Sequence, residues 1–444
     1  MAELQSTPET VEYRIAMVEP RSRAILGFET QGSYRLPRVF ISRKLRHTQQ
    51  LTAAAEIKWG LKVLILDFLS ETGDDAPIAV AIVRSIARAS LNLLKLPLEQ
   101  ISEIELPGKE RDRLVSILCG GTESLLSSIG WIDEAVAWVE EVTGQKLASN
   151  ADPEQLNAGG GFALIRFSME NGNACWLKAT GKPNQHEFTL TALLSDLFPA
   201  SLPRLLAIKK EWNAWLTEQA GSPLPSIPTA DALTGAASGF ATLQIQTLDL
   251  IDDLLAAGAF NQRSRALRNQ IEPVAEYLMG AMERQESTRV PALNRDRILE
   301  LGTILKRACL SMESLEIPDT LIHNDLNGGN ILSYQNRCVF IDWSEAAVGN
   351  PFLACERLCQ LNRKHQDQVR SVFRRFWAER MEAGSIEHAF VLAPLLSIYA
   401  YLYGRGNWPR VAGTSPQSDS YARSLARHMD LAAQNPELEE LLCL

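Results

Sequence analysis

Leu321-Ile-His-Asn-Asp-Leu-Asn-Gly-Gly-Asn-Ile-Leu332, with Phe340-Ile-Asp-Trp343 a few residues further on, is the stretch on which the reading of this chain turns. It holds one candidate base, Asp325, and two candidate ligands for a hard cation, Asn330 and Asp342. A hydroxyl that attacks a nucleotide γ-phosphate needs a carboxylate to orient it, and Mg²⁺ to hold the phosphates and absorb developing charge. The spacing argues for the same grouping. Ile331 and Leu332, a turn-like Gln335-Asn336-Arg337 and the apolar run Cys338 to Ile341 predict a β-hairpin, and a hairpin brings its two ends together. Asn330 and Asp342 then lie side by side, suited to one small cation that prefers carboxylate, amide and phosphate oxygens. Asp325 sits on the loop that leads into this hairpin.

The pattern His323-x-Asp325-Leu-x-x-x-Asn330 followed by Ile341-Asp342-Trp343 resembles the catalytic and metal motifs of the aminoglycoside phosphotransferase and choline kinase group, relatives of the protein kinases. The family's usual loop reads His-Gly-Asp-Leu-His-x-x-Asn, whereas Asn324 and Asn327 stand at its second and fifth positions here. The resemblance implies an α+β, two-lobed protein-kinase-like fold, with a small β-rich lobe and a larger, mainly helical one. It also implies Asp325 as the catalytic base, ATP or GTP as phosphate donor, and Mg²⁺ on Asn330 and Asp342. The competing reading is that these Asp and Asn residues only cap turns.

Composition is that of a globular protein: 444 residues, 46% apolar and 22% charged, long enough for two or three domains. The net charge of −9 speaks against broad binding to nucleic acid or anionic membrane, while leaving room for a local basic nucleotide pocket. Seven scattered cysteines fit a reducing compartment better than a disulfide framework. Cys355 and Cys359 lack a partnering Cys/His pair and read as buried thiols. The start, Met1-Ala-Glu-Leu-Gln-Ser, has neither basic flank nor apolar core, and the apolar stretch Phe390 to Tyr403 is too short to span a bilayer. A cytoplasmic location is expected.

Upstream, Phe162 to Ser168 and Ala174 to Ala179 flank Glu170-Asn-Gly-Asn173, a strong hairpin signal that puts Lys178 on the second strand. In the kinase-like plan that strand carries the lysine for the α- and β-phosphates, and a glutamate on the following helix holds it; Glu187 is the candidate. Asn184-x-x-Glu187 fits a helix capping box equally well. Gly159-Gly160-Gly161 precedes the hairpin, and the resemblance makes Gly160 and Gly161 candidates to contact phosphate, although glycine runs are commonly plain turns. Trp212 to Gly221 reads as a strand ending in a polar hinge; Glu218 and Ala220 are the hinge candidates for contact with the nucleotide base.

Residues 223–320 and 351–403 show helical periodicity, for example Leu248, Ile251, Leu254 and Leu255, or Ile298, Leu301, Ile304, Leu305 and Ala308. Trp377, Tyr399 and Tyr403 read as core before they read as substrate pocket. Where the family runs Gly-Asp-Pro-x-x-Asp-Leu-Ala, this chain has Gly349-Asn350-Pro351-Phe352-Leu353-Ala354-Cys355, and the missing carboxylate weakens an aminoglycoside acceptor, leaving Glu345 and Glu356 nearby.

Residues 1–125 predict a small α/β domain: strands near 13–18, 23–27, 39–41, 61–69 and 78–86, and helices near 48–59 and 109–118. Its order faintly resembles a Nudix domain, but aligning that family's helix glycine on Gly60 puts Ala53, Ala54, Ile57 and Lys58 at the functional positions. The polar stretch Gly120 to Ser128 is expected to be a linker, giving domains 1–125, 126–222 (the β-rich lobe with the hinge) and 223–444 (the helical lobe). The expected function is a Mg²⁺-dependent small-molecule kinase acting on a hydroxyl. The alternative is a non-catalytic, pseudokinase-like nucleotide-binding regulator or scaffold.

Overall fold

The computed structural model describes residues 10–30, 32–69, 77–86, 93–122, 124–149, 152–334, 337–404 and 416–443. The expected turn at Gln335-Asn336 lies outside them. By internal packing the chain divides into two compact units, Met1–Phe188 with Leu205–Gln219, and Thr189–Arg204 with Ala220–Leu444.

The first unit opens with β1 (Thr10–Val18), β2 (Ile25–Thr30), β3 (Ser33–Arg35), β4 (Arg38–Ser42), α1 (His47–Trp59), β5 (Leu61–Phe68), β6 (Ile78–Ile86) and β7 (Leu94–Leu96). The strands form one sheet in the order β3-β2-β1-β6-β5, with β4 on β1 and β7 on β2. Gly60 ends α1 at φ 67°, the left-handed conformation that a residue without Cβ adopts freely, and its N–H caps the carbonyls of Ala55 and Glu56. Period-2 alternation sends Ile15, Met17, Ile65 and Ala81 against Leu51, Ala55 and Trp59 of α1. Ala16, Val18, Leu64, Leu66 and Val80 face the other way, into a second core.

That second core is shared with the rest of the unit. It takes Leu114 and Ile117 from α2 (Gly108–Cys119), Trp131, Ala135 and Val139 from α3 (Trp131–Thr143), and Ile165, Phe167, Leu177 and Leu216 from the strands that follow. Those strands are β8 (Glu154–Asn157), β9 (Phe162–Ser168), β10 (Ala174–Thr180), β11 (Leu205–Lys209) and β12 (Ala214–Glu218), in the order β11-β12-β10-β9-β8. Helix α4 (His186–Leu197) follows β10 in sequence. The buried side chain of Gln155 in β8 joins the two sheets: its Oε1 accepts from the Ile65 N–H at 2.7 Å and its Nε2 donates to the Ile65 carbonyl at 2.8 Å, as a neighbouring strand would. Leu126 and Ser127, within the stretch expected to be a linker, are buried.

The second unit contains β13 (Ser222–Pro223), α5 (Ala230–Gln246), α6 (Ile251–Ala256), β14 (Phe260–Gln262), α7 (Ser264–Arg268), α8 (Ile271–Glu283) and α9 (Arg295–Ser314). After them come β15 (Thr320–His323), β16 (Ile331–Tyr334), β17 (Arg337–Phe340), β18 (Ala346–Gly349), α10 (Pro351–Leu361), α11 (Gln366–Trp377), α12 (Ala383–Gly404), α13 (Pro416–Ala433) and α14 (Pro436–Leu442). Ile298, Leu301, Ile304, Leu305 and Ala308 line one face of α9 and are buried, as the 3.6-residue period requires. Leu248 instead lies in the turn before α6, a helix too short to include it. Trp377 and Tyr399 are fully buried, and the Tyr399 hydroxyl donates to the Leu267 carbonyl at 2.8 Å.

The apolar stretch 390–403 is part of a longer helix than its composition indicated, because Ala383 to Ala389 continue the same turns. At 22 residues, α12 is long and apolar enough to cross a bilayer by length and composition alone, which the shorter stretch is not. In the fold, 67% of its most apolar 18-residue window is buried inside the protein, as in a core helix.

Candidate active site

Strand β15 is buried along its whole length and pairs antiparallel with β18, from Thr320↔Gly349 to His323↔Ala346. It delivers the chain into the loop that carries Asp325. Within that loop the Asn327 N–H donates to the Asp325 carbonyl at 2.8 Å, and the Asn330 N–H donates to the Asn327 carbonyl at 3.0 Å. Asn327 also caps the turn, its Oδ1 accepting from the Gly329 N–H at 2.8 Å.

The amide of Asn330 sets the position of Asp325. Its Nδ2 donates to the Asp325 carbonyl at 2.9 Å and to the Asp325 Oδ2 at 3.1 Å. Strands β16 and β17 form the expected hairpin, in register from Ile331↔Phe340 to Tyr334↔Arg337, and the Ile341 N–H donates to the Asn330 carbonyl at 3.1 Å. Asp342 is therefore one residue from a direct backbone bond to residue 330.

Asp342 stands at φ 66° and ψ 66°, in the left-handed region, and accepts at Oδ1 from the Ser344 hydroxyl at 3.2 Å. A non-glycine residue pays of order 1 kcal/mol or more for that backbone, and the surroundings must hold it there. One restraint is His323, fully buried, whose Nε2–H donates to the Ile341 carbonyl at 2.9 Å while its ring lies 4.7 Å from that of Trp343. His323 was visible in the motif, but its work on the peptide before Asp342 was not. Asn324, at the family's glycine position, spends its Nδ2 on the Glu345 carbonyl at 2.8 Å.

In the first unit, Lys178 pairs across β10 with Leu164 of β9 and Trp215 of β12. Its ammonium meets Glu187 Oε1 at 2.5 Å, with side chains 12% and 2% exposed, and lies 5.3 Å from the Phe162 ring and 5.7 Å from that of Trp215. So little water reaches the pair that neither charge is stable there without the other. Glu187 is thus turned to the lysine, while its own N–H bonds the Asn184 carbonyl at 3.1 Å.

The two glycines differ. The Gly160 N–H donates to Asp67 Oδ1 at 3.3 Å, so in this conformation it is not offered to a phosphate. The Gly161 N–H has no hydrogen-bond partner among the described residues, and the Gly161 carbonyl accepts from the Gly181 N–H at 2.8 Å. Glu218 closes β12 opposite Cys175. Ala220 is buried with Leu332 and Val339. Gly221 follows at φ 53°, where an added Cβ would stand 1.7 Å from the Ser333 carbonyl oxygen.

Glu356 is 2% exposed and held by Arg363 at 2.6 Å, so it is already neutralised by the protein. Among the described residues no group of three or more His, Cys, Asp or Glu side chains is gathered as a metal cluster.

The sequence profile of the phosphotransferase enzyme family, APH, matches residues 123–354, just over half of the chain, and spans both the Lys178 pair and the Asp325 loop. No curated protein matches the sequence. Among solved structures, a choline/ethanolamine kinase family protein from Mesorhizobium loti is similar at 15% identity, over 70% of this chain and 98% of its own, with a TM-score of 0.47. An ethanolamine kinase from Plasmodium vivax is similar at 15% identity over 76% and 97%, with a TM-score of 0.47. A macrolide 2′-phosphotransferase from Brachybacterium faecium is similar at 15% identity over 66% and 97%, with a TM-score of 0.44. On the profile match, the chain belongs to the phosphotransferase enzyme family.

Proposed function

We propose that this phosphotransferase moves the γ-phosphoryl group of ATP or GTP to a hydroxyl of a small molecule, with Asp325 as base. The observation that carries the reading is the double hydrogen bond from Asn330 Nδ2 to the main chain and carboxylate of Asp325, on a hairpin whose far end presents Asp342. One carboxylate is thereby oriented, and a second stands at the far end of the same hairpin. In the transfer the acceptor oxygen forms a bond to phosphorus, the bond from phosphorus to the bridging oxygen breaks, and the hydroxyl proton passes to Asp325.

The donor set suits Mg²⁺. Because Asn330 uses its Nδ2 on Asp325, its Oδ1 is left as a neutral oxygen ligand, and Asp342 supplies an anionic one. When bound, the ion neutralises charge on the phosphate oxygens. Lys178, held by Glu187, binds the α- and β-phosphates. The Gly161 amide supplies a further donor, and the backbone from Glu218 to Ala220 contacts the base.

For the acceptor, the burial of Glu356 against Arg363 together with Ala354 at the family's acidic position argues against a polycation. A neutral or weakly charged alcohol fits better. Asp342→Ala is expected to abolish Mg²⁺-dependent nucleotide turnover in a phosphate-release assay while the protein still unfolds in one cooperative thermal transition. Wild-type turnover in that variant defeats the assignment.

A further inference from the structure

The N-terminal sheet has no part in the chemistry as argued so far, yet one of its residues reaches the glycine run. Asp67, near the end of β5, collects four donors: Oδ1 accepts from the N–H groups of Phe68 at 2.9 Å and Gly160 at 3.3 Å, and Oδ2 from the Ser127 hydroxyl at 2.9 Å and Arg113 Nη2 at 3.4 Å. Its side chain is only 14% exposed, so the carboxylate depends on these partners. The other side of the Gly160 peptide unit is held too: the Ser124 hydroxyl donates to the Gly160 carbonyl at 2.6 Å. The fit at Gly160 is tight: an added Cβ would stand 3.0 Å from Ser127 Oγ and 3.2 Å from Ser124 Cβ, so both serines would have to shift by a few tenths of an ångström.

Packing alone does not fix this loop. Asp67, Ser127, Gly160 and Gly161 border a cavity of about 1190 Å³ within the first unit, whose wall continues through Thr180 and Lys182. Loss of the hydrogen bonds therefore opens space for the glycines to move into. While the Gly160 N–H is spent on Asp67, the next N–H, that of Gly161, has no partner among the described residues and is the amide left for a ligand.

We propose that Asp67 is a positioning residue for the nucleotide: through Gly160 it fixes the glycine run so that Gly161 meets a phosphate oxygen, and the N-terminal sheet is thereby part of the nucleotide-binding apparatus. The proposal rests on the phosphotransfer reading above. Losing the Asp67 acceptor loosens the loop and should weaken nucleotide binding about tenfold while sparing the chemical step.

The test compares Asp67→Ala, Asp67→Asn and, as a control on the reading itself, Lys178→Met, each in the full chain. Three measurements are made: amide hydrogen exchange at Gly160, affinity for Mg²⁺-ATP by calorimetry, and the kinetics of nucleotide turnover, giving KM and kcat. Asp67→Ala is expected to speed exchange at Gly160 and to raise Kd and KM about tenfold, with kcat within about twofold of the wild type. Asp67→Asn keeps an acceptor for the Gly160 N–H and should recover most of the affinity. A protein merely destabilised by Asp67→Ala would lose active fraction and hence kcat, not KM. Unchanged exchange at Gly160, or faster exchange with unchanged Kd, overturns the proposal. Binding that is lost in Lys178→Met but intact in Asp67→Ala overturns the proposal and leaves the phosphotransfer reading standing. A wild type that binds neither Mg²⁺-ATP nor Mg²⁺-GTP removes both. Should Asp67→Ala fail to fold, Ser127→Ala, which removes one of the donors to Asp67, carries the same three measurements with a smaller rise in KM expected and the same results overturning it.

Discussion

At the scale of single residues, the fold holds Asp325 and Asp342 in different ways. Asp325 is oriented by the Asn330 amide, while Asp342 is carried on left-handed backbone at the far end of the β16–β17 hairpin. Asp325→Asn should accordingly bind Mg²⁺-nucleotide with near wild-type affinity but transfer phosphate about a hundredfold more slowly, the usual cost of removing a positioned base. A tenfold loss of affinity, measured by calorimetry, would move Asp325 onto the metal. A third carboxylate lies immediately before β15. Asp319 lines a cavity of about 530 Å³ with Arg263 and Asn350, and burial raises its pKa from 3.8 to about 6, partly offset by the Arg263 charge. The folded state thus holds this proton more tightly than the unfolded chain. Its contribution is complete below about pH 4 and is lost as pH rises through 6, so it destabilises the protein at neutral pH. Asp319→Asn should raise unfolding stability by about 1–2 kcal/mol at pH 7.5 and change it little at pH 4, as read from urea midpoints.

At the scale of elements, the hairpins were legible because their turn chemistry is local. Glu170-Asn-Gly-Asn173 between two apolar runs located β9 and β10 to within a residue, and with them the position of Lys178. Helices α1, α2 and α9 followed from periodicity in the same way. What stayed hidden depends on contacts far apart in sequence. The three-residue strand β14 finds its place only by pairing with β18, and the approach of Asp67 to Gly160 has no local pattern to announce it. Gly221 lies between these cases: its turn character is readable, but the reason it must be glycine is the Ser333 carbonyl of β16. Gly221→Ala places a methyl group 1.7 Å from that oxygen and holds a side chain at φ 53°, so a loss of about 3 kcal/mol or more is expected in chemical denaturation. Unfolding at the wild-type midpoint would show that the strand pairing of Ser222 with Ser333 tolerates displacement.

At the scale of the whole molecule, the first unit joins what the sequence divides near residue 125. Leu64, Leu66, Ile78 and Val80 of the N-terminal sheet share one core with Ile165, Phe167, Leu177 and Leu216. A chain starting at residue 126 would expose that core and leave Gln155 without its Ile65 partner, because the sheet supplies one wall of it. Such a truncation should lose cooperative thermal unfolding and bind a hydrophobic dye at room temperature; a soluble, cooperatively folding fragment with full nucleotide turnover would make residues 1–125 an independent attachment. The same shared core has a meaning for biosynthesis. Its last strand, Ala214–Glu218, is made long after the N-terminal sheet has left the ribosome. At about 5–20 residues per second, the roughly ninety residues from 126 to 216 take on the order of 5–20 s to add, and until the last of them is made the shared core of the N-terminal sheet is covered only in part, by α2 and whatever has followed it. Synthesis of this phosphotransferase should therefore depend on chaperone capture of its N-terminal segment more than its final stability would suggest.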